Sequence, residues 1–520
     1  MSSTAASPKH YSELSALCRD IASLTAIGSL IGWDQETYMP PAGAEGRSDQ
    51  QALLSGITHE RKTSKRFGEL LAACEADASL TQPGTIEAAN IRELRRDYDL
   101  STKLPTSLVS ELAKTTSQAQ EAWKHARATN NFPAFAPYLS EVLCLTRQKA
   151  ECYGIPSFDG PAGPKSRKGE LYDALLNEYE PGISAADIQQ IFTPLQSRLS
   201  AFVAQITGSP VKLSTTCAQI NATTDQQQAL ALDVIKAIGF DLQAGRLDKT
   251  AHPFCSGIGP GDTRLTTRYT SPSFLEPLSS TLHEAGHGLY EQGLPKAQHF
   301  GLPSADAVSL GIHESQSRMW ENFVGRSREF CEYLVPLAKK HFGPAAANLT
   351  ADDLCKASNT IRRSFIRVES DEATYNLHIM LRFGIERELI SGQMTVADLP
   401  AEWNKRFKAL LGLDVPDNAQ GCLQDVHWSF GLVGYFPTYT LGNLYAAQIW
   451  ETINTKIPDL HARIAKGDFA PLLVFLRENI HHHGRSYSAT ELCQRITGKP
   501  LTADPLMRYL EGKLKPLYQI

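Results

Sequence analysis

Apolar residues recur at helical spacing along most of the chain. Leu14, Cys18, Ile21, Leu24 and Ile27 are three or four residues apart, and Ile361, Phe365, Val368, Tyr375 and Ile379 three, four or seven apart. Such stripes line one face of an amphipathic helix, so helices are predicted over both stretches. Strand-like alternation is scarce. The best short strand is RLTTRY, Arg264 to Tyr269, behind the turn GIGPGD at 257–262, and the glycine-rich stretch 431–442 leaves room for more strand. Pro156, Pro181, Pro260, Pro295, Pro303, Pro437 and Pro471 punctuate the helices. No internal repeat, low-complexity tract or Ser/Gly linker interrupts them, and the candidate boundaries near 78–86 and 155–170 are short. The expectation is a mainly α protein, one large helical body over residues 1–520 lobed around a cleft, with a small β element.

Composition narrows the class. The 520 residues are 42% hydrophobic and 21% charged, the balance of a globular chain and not of a disordered one. A net charge of −5 with no basic run argues against a nucleic-acid partner. The ten cysteines form no C-x-x-C pair. The N-terminus, MSSTAASPKHYSELSALCRD, lacks the apolar core of a secretory leader, and no stretch approaches the roughly 20 apolar residues of a membrane helix. A reduced, cytoplasmic protein without a membrane partner is expected.

Residues 283–287, HEAGH, carry the chemistry. On a helix, His283 and His287 share one face and can grip one metal ion, while Glu284 reaches the water beside it. Leu275, Leu278, Leu282, Ala285 and Leu289 supply the apolar stripe. Gly286 and Gly288 weaken a helix by about 1 kcal/mol each, but a glycine there lets another backbone or a substrate come close. With 15 histidines, such a pattern arises by chance on the order of a few per cent of the time. The rival reading is two histidines on an ordinary amphipathic helix. A third ligand is expected downstream, in GIHESQSRMW at 311–320. Glu314 and His313 both qualify, and an i,i+4 ion pair between Glu314 and Arg318 is the mundane alternative.

Beyond that motif, HPF at 252–254, DTRLTTRY at 262–269, HESQ at 313–316, IRVESDE at 366–372, GCLQDVHW at 421–428, GYFPTYTLGN at 434–443 and GWDQETYMP at 32–40 appear in order. With these the chain resembles the Taq-type carboxypeptidases, the metallocarboxypeptidases of metallopeptidase family thirty-two, from about residue 30 to 485. The resemblance implies a helical, saddle-shaped unit split by a deep active-site groove, similar to angiotensin-converting enzyme and neurolysin. It implies release of single C-terminal amino acids from peptides, a homodimer, and zinc, with cobalt as an alternative. It makes the glutamate of HES, Glu314, the third ligand. Other uses of the same site are a metallo-endopeptidase, a dipeptidase, or a non-catalytic peptide-binding protein.

In the expected mechanism the metal acidifies a water, and Glu284 takes its proton and passes it to the leaving amine. By resemblance His427 and Tyr435 stabilise the transition state, with Tyr439 as the substitute tyrosine. A free carboxylate is best read by an arginine fork, and Arg367 in IRVESD is the family-supported choice, against an i,i+4 pair with Asp371. His252 is placed at the substrate end, and Asp371 and Glu372 as groups orienting histidine or arginine side chains. The run His481–His483 is expected at a surface or helix end, and Cys422 in packing.

Overall fold

The computed structural model describes residues 8–160, 163–269 and 272–520. Residues 1–7, at the head of the segment read for a leader, and 161–162, within the boundary stretch 155–170, lie outside the described residues.

Helices dominate. α1 (Lys9–Thr37) packs against α2 (Ala44–Lys62). The front of its stripe, Leu14 and Cys18 with Tyr11, meets Phe67, Leu70, Leu71 and Cys74 in a small core of its own. The back of the stripe is open, with Ile27 50% exposed. By length and composition α1 is apolar enough to cross a membrane, over a window of mean hydropathy 1.4. This corrects the reading that no stretch approaches such a span.

A hairpin, β1 (Ser157–Gly160) and β2 (Gly163–Lys168), precedes α3 (Ala185–Gly208). A three-stranded sheet follows, β3 (Gly245–Lys249), β4 (Cys255–Gly259) and β5 (Asp262–Thr267), in the order β3-β5-β4. β3 runs parallel to β5 and β4 antiparallel. The expected strand is present, starting two residues earlier than Arg264 because Gly261, at φ +75°, makes the turn out of β4. β5 leads into α4 (Leu275–Gly293), and the Thr281 hydroxyl meets that of Thr267 at 3.2 Å.

α5 (Leu310–Arg318) begins at Ser309, whose hydroxyl accepts from the Ile312 amide at 3.1 Å, and runs on into a π-helical turn, Met319–Val324. α6 (Tyr375–Ser391), α7 (Pro437–Lys456) and α8 (Asp504–Tyr518) complete the elements around the site. Leu282, Leu289, Ile312, Ile379, Leu441 and Leu444 from α4 to α7 share one large core.

Two expectations fail. The stripe from Ile361 to Ile379 is not one helix: only the part from Tyr375 is helical, after a short 3₁₀ turn at Arg367–Glu369. Asp371 holds the interruption. Its carboxylate accepts from the amides of Arg362, Ala373 and Thr374 and from the Thr374 hydroxyl. The stretch 431–442 holds no strand. Gly431 and Gly434, at φ +70° and +90°, turn the chain, and Pro437 opens α7 at its first position.

Candidate active site

α4 carries His283, Glu284, His287 and Glu291, and α5 carries His313 and Glu314. The helices touch at Gly286, where a Cβ would lie 2.6 Å from the Gln316 carbonyl oxygen. α7 reaches the same point through Gly442, whose Cβ would lie 2.5 Å from Glu314 Cγ. These glycines let three helices converge on one carboxylate. The start of α5 is fixed by buried Glu180, which accepts from the Ser309 hydroxyl and the Gly311 amide, both at 2.9 Å.

The histidine rings stand 4.9 Å apart and nearly perpendicular. Glu314 Oε2 is 3.6 Å from His283 Nε2 and 3.4 Å from His287 Nε2. One donor atom from each of the three lies within 4.8 Å of the others, a group able to hold a metal ion. The other ring nitrogens are occupied: His283 Nδ1 by Glu321 at 2.9 Å, His287 Nδ1 by His313 Nδ1 at 2.5 Å. His313 Nε2 bonds Glu291 at 2.8 Å, and Lys296 pairs with Glu291. His313 therefore backs His287, while Glu314 faces both Nε2 atoms. This donor set, with its rings oriented from behind, fits a cation. The expected Glu314–Arg318 pair also forms, at 2.6 Å, through the carboxylate's other oxygen. Arg318 reaches Glu321 as well, at 3.0 Å.

Ionisation follows this layout. Burial opposes a charge on His283, but Glu314 and Glu321 outweigh it and raise it to about 9. Burial and the charge of His313 lower His287 to about 4. Burial works against Glu314 and Glu321 too. Arg318 and the histidines nonetheless hold Glu314 well below the usual carboxylate range, and Arg318 and His283 bring Glu321 to about 2. Glu284 differs: burial pushes it up to about 7. Its carboxylate has no hydrogen-bond partner among the described residues.

A second cluster is cationic. Arg367, buried, meets Asp425 through Nε and Nη2 at 2.9 Å and donates from Nη1 to the Tyr375 hydroxyl at 3.0 Å. It does not pair with Asp371, because the two share no helix. Among the described residues Asp371 and Glu372 orient no histidine or arginine side chain: Glu372 pairs with Lys513 and accepts from Tyr509. Asp425 also takes Arg382, which is fully buried. His427 Nε2 lies 3.3 Å from the Tyr439 hydroxyl, and the His427 and Tyr435 rings are 5.6 Å apart. Burial lowers His427 to about 4. Burial raises Tyr435 and Tyr439, with the Glu314 charge contributing to both. Glu386 pins the segment between His427 and Tyr435, accepting from Trp428 Nε1 and Tyr172 at 2.8 Å and from the Gly434 amide at 3.1 Å.

His252 is exposed on the bend before β4 and touches neither cluster among the described residues. His481 follows a helix end as expected but is buried, with Nε2 3.0 Å from the Gln316 side chain. Cys422 is buried. Sequence reading missed Glu321, Asp425 and Tyr375 as members of the site. Asp425, two positions before His427, was open to discovery. Glu321 was not, since only the π-turn swings it behind His283. The Tyr375 ring has Arg318 at 4.5 Å and Arg367 at 5.8 Å, and so joins the clusters.

Among known proteins, the carboxypeptidase Taq (M32) metallopeptidase family matches residues 13–514. Thermostable carboxypeptidase 1 of Thermus thermophilus is 43% identical over 509 residues, 98% of this chain and 99% of that protein. Its namesake in Pyrococcus furiosus is 36% identical over 504 residues, 96% of this chain and 97% of that protein. The crystal structure of the M32 carboxypeptidase from Deinococcus radiodurans R1 superposes with a TM-score of 0.91 at 37% identity, covering 99% and 100% of the two chains.

Proposed function

The chain belongs to the carboxypeptidase Taq (M32) metallopeptidase family and is a metallocarboxypeptidase; from that premise we propose that His283, His287 and Glu314 hold a zinc ion, with cobalt as an alternative, and that Glu284 is the general base. The convergence of two Nε2 atoms and one carboxylate oxygen, beside a buried carboxylate without a hydrogen-bond partner among the described residues, carries this reading. A bound zinc supplies the Lewis acidity that polarises the scissile carbonyl and acidifies water.

The remaining work falls to side chains. Glu284, raised to about 7, is matched to taking a proton from the attacking water and delivering it to the leaving amine. His427, Tyr435 and Tyr439 donate hydrogen bonds to the oxyanion as the carbonyl turns tetrahedral. Arg367 binds the substrate's terminal carboxylate. Of its five N–H groups, Asp425 and Tyr375 take three, and one donor on each terminal nitrogen is left for a bidentate grip. His252 lines the substrate end only if the bend before β4 closes over bound peptide.

We read residues 1–520 as one catalytic unit acting on peptides in the cytoplasm as a homodimer, without a nucleic-acid or membrane partner; ten unpaired cysteines support a reducing compartment. Mass spectrometry of a peptide ladder tests the assignment. Free-acid peptides should lose single C-terminal residues, C-terminally amidated ones should resist, and a chelator should stop the reaction until zinc is restored. Equal trimming of amidated peptides would remove Arg367 from its role.

A further inference from the structure

A further cavity lies away from the metal-ligand cluster. It holds about 500 Å³ between the C-terminal end of α3, the segment 360–363 and the end of α8. Three cationic side chains line it, Lys212, Arg362 and Arg363, with the hydroxyl residues Thr207, Thr360 and Tyr518, and its lining contains no Asp or Glu. In a chain of net charge −5 this is an unusual concentration of uncompensated positive charge.

The cations are anchored without being neutralised. Arg363 donates from Nη2 to the Thr207 hydroxyl at 2.9 Å, and its Nε is buried without a partner. Lys212 donates to the Thr207 and Ser209 carbonyls at 3.2 and 2.8 Å, which caps the negative end of α3 and leaves one donor free. The Arg362 guanidinium has no partner among the described residues. Asp371 takes the Arg362 backbone amide and is otherwise spent on Ala373 and Thr374. Lys212 and Arg362 are exposed and Arg363 is half-buried, whereas the buried Arg367 and Arg382 are met by Asp425.

We propose that this cavity binds a small phosphomonoester. A dianion suits two guanidinium forks and an ammonium better than a single carboxylate would. The volume exceeds what a bare phosphate fills, and the Ala204 and Leu213 wall gives an organic group somewhere to lie. The site is separate from the Arg367 cluster, which lies on the same segment but carries its own counter-ion.

Isothermal titration of the metal-loaded enzyme with β-glycerophosphate tests it, with glycerol as the uncharged control. At low ionic strength binding is expected with a Kd below about 1 mM, weakening as salt screens the charges. Arg362→Glu combined with Lys212→Gln should weaken it at least about tenfold, the cost of roughly one charge-assisted hydrogen bond. Arg362 has no partner to lose, and an unchanged circular dichroism spectrum verifies the fold. Absence of heat with the wild type at about tenfold that Kd overturns the proposal. So does equal binding by the double variant, which would place the ester at the metal instead.

Discussion

The two halves of the proposed catalytic centre differ in their charge balance and in the kind of backbone that carries them. The metal half sits on regular helix: α4, α5 and the π-turn present Glu284, Glu291, Glu314 and Glu321 against Arg318, Arg326 and Lys296. The half proposed for substrate sits partly on irregular chain held by side chains, Asp371 and Gln424 around Arg367 and Glu386 around His427 and Tyr435, with Arg382 on α6 and Tyr439 on α7. There two arginines share one aspartate, so positive charge is left over. Each half thus suits the ligand proposed for it, a cation on one side and a carboxylate on the other. Tyr375 ties them together. Substitutions should therefore separate cleanly, metal and turnover on one side, substrate affinity on the other.

The largest expected effect is at Glu284. Glu284→Gln keeps volume and the three ligands, so metal content measured after dialysis should stay near one per chain. Turnover should fall about 10³-fold or more, within the range for a lost general base. Retained turnover would show that the proton goes elsewhere. Arg367→Ala comes next. The Michaelis constant for free-acid peptides should rise on the order of 100-fold, about 2–3 kcal/mol for a buried charge-assisted pair, with a smaller change in kcat. A parallel loss of metal would mean that the halves are not separable, since Tyr375 would then transmit the damage to Arg318.

The same division governs what the sequence discloses. His283, Glu284 and His287 are legible because helix geometry converts i and i+4 into one face without help from the rest of the chain. The short β5 is legible from its turn. Glu314 and His313 could not be separated by spacing, because both sit on α5 and only the crossing at Gly286 decides which one faces the Nε2 atoms. In the substrate half the stripe from Ile361 to Ile379 misled, since Asp371 satisfies backbone amides that a helix would have used. The glycines of 431–442 misled for a related reason: Gly431 and Gly434 serve turns, and the Gly434 amide is answered by a distant residue, Glu386, which no local pattern reveals.

A smaller effect probes the helix-borne half. Gly286→Ala puts a methyl group against the α5 backbone, which has no side chain to swing aside. Overpacking of this kind costs about 3 kcal/mol at the upper end of its range. It should lower both thermal stability and zinc affinity, measured by melting with and without added metal. A variant as stable as the wild type would mean that α4 and α5 do not need their close approach.

The smallest expected effect belongs to the irregular half and is a matter of pH. His427 is lowered from 6.5 to about 4, chiefly by burial, so the folded protein holds it neutral where the unfolded chain would protonate it. Between those two values the unfolded state binds more protons. The stability that neutral His427 contributes is therefore complete above pH 6.5 and is lost progressively as pH falls toward 4. His427→Asn removes the titrating group. The melting temperature of the variant should fall less between pH 7 and pH 4 than that of the wild type, and the gap between the two slopes isolates His427 from metal ligands that protonate in both. If the two proteins lose the same number of degrees, His427 is not held neutral and cannot be the single-proton donor that the substrate half requires.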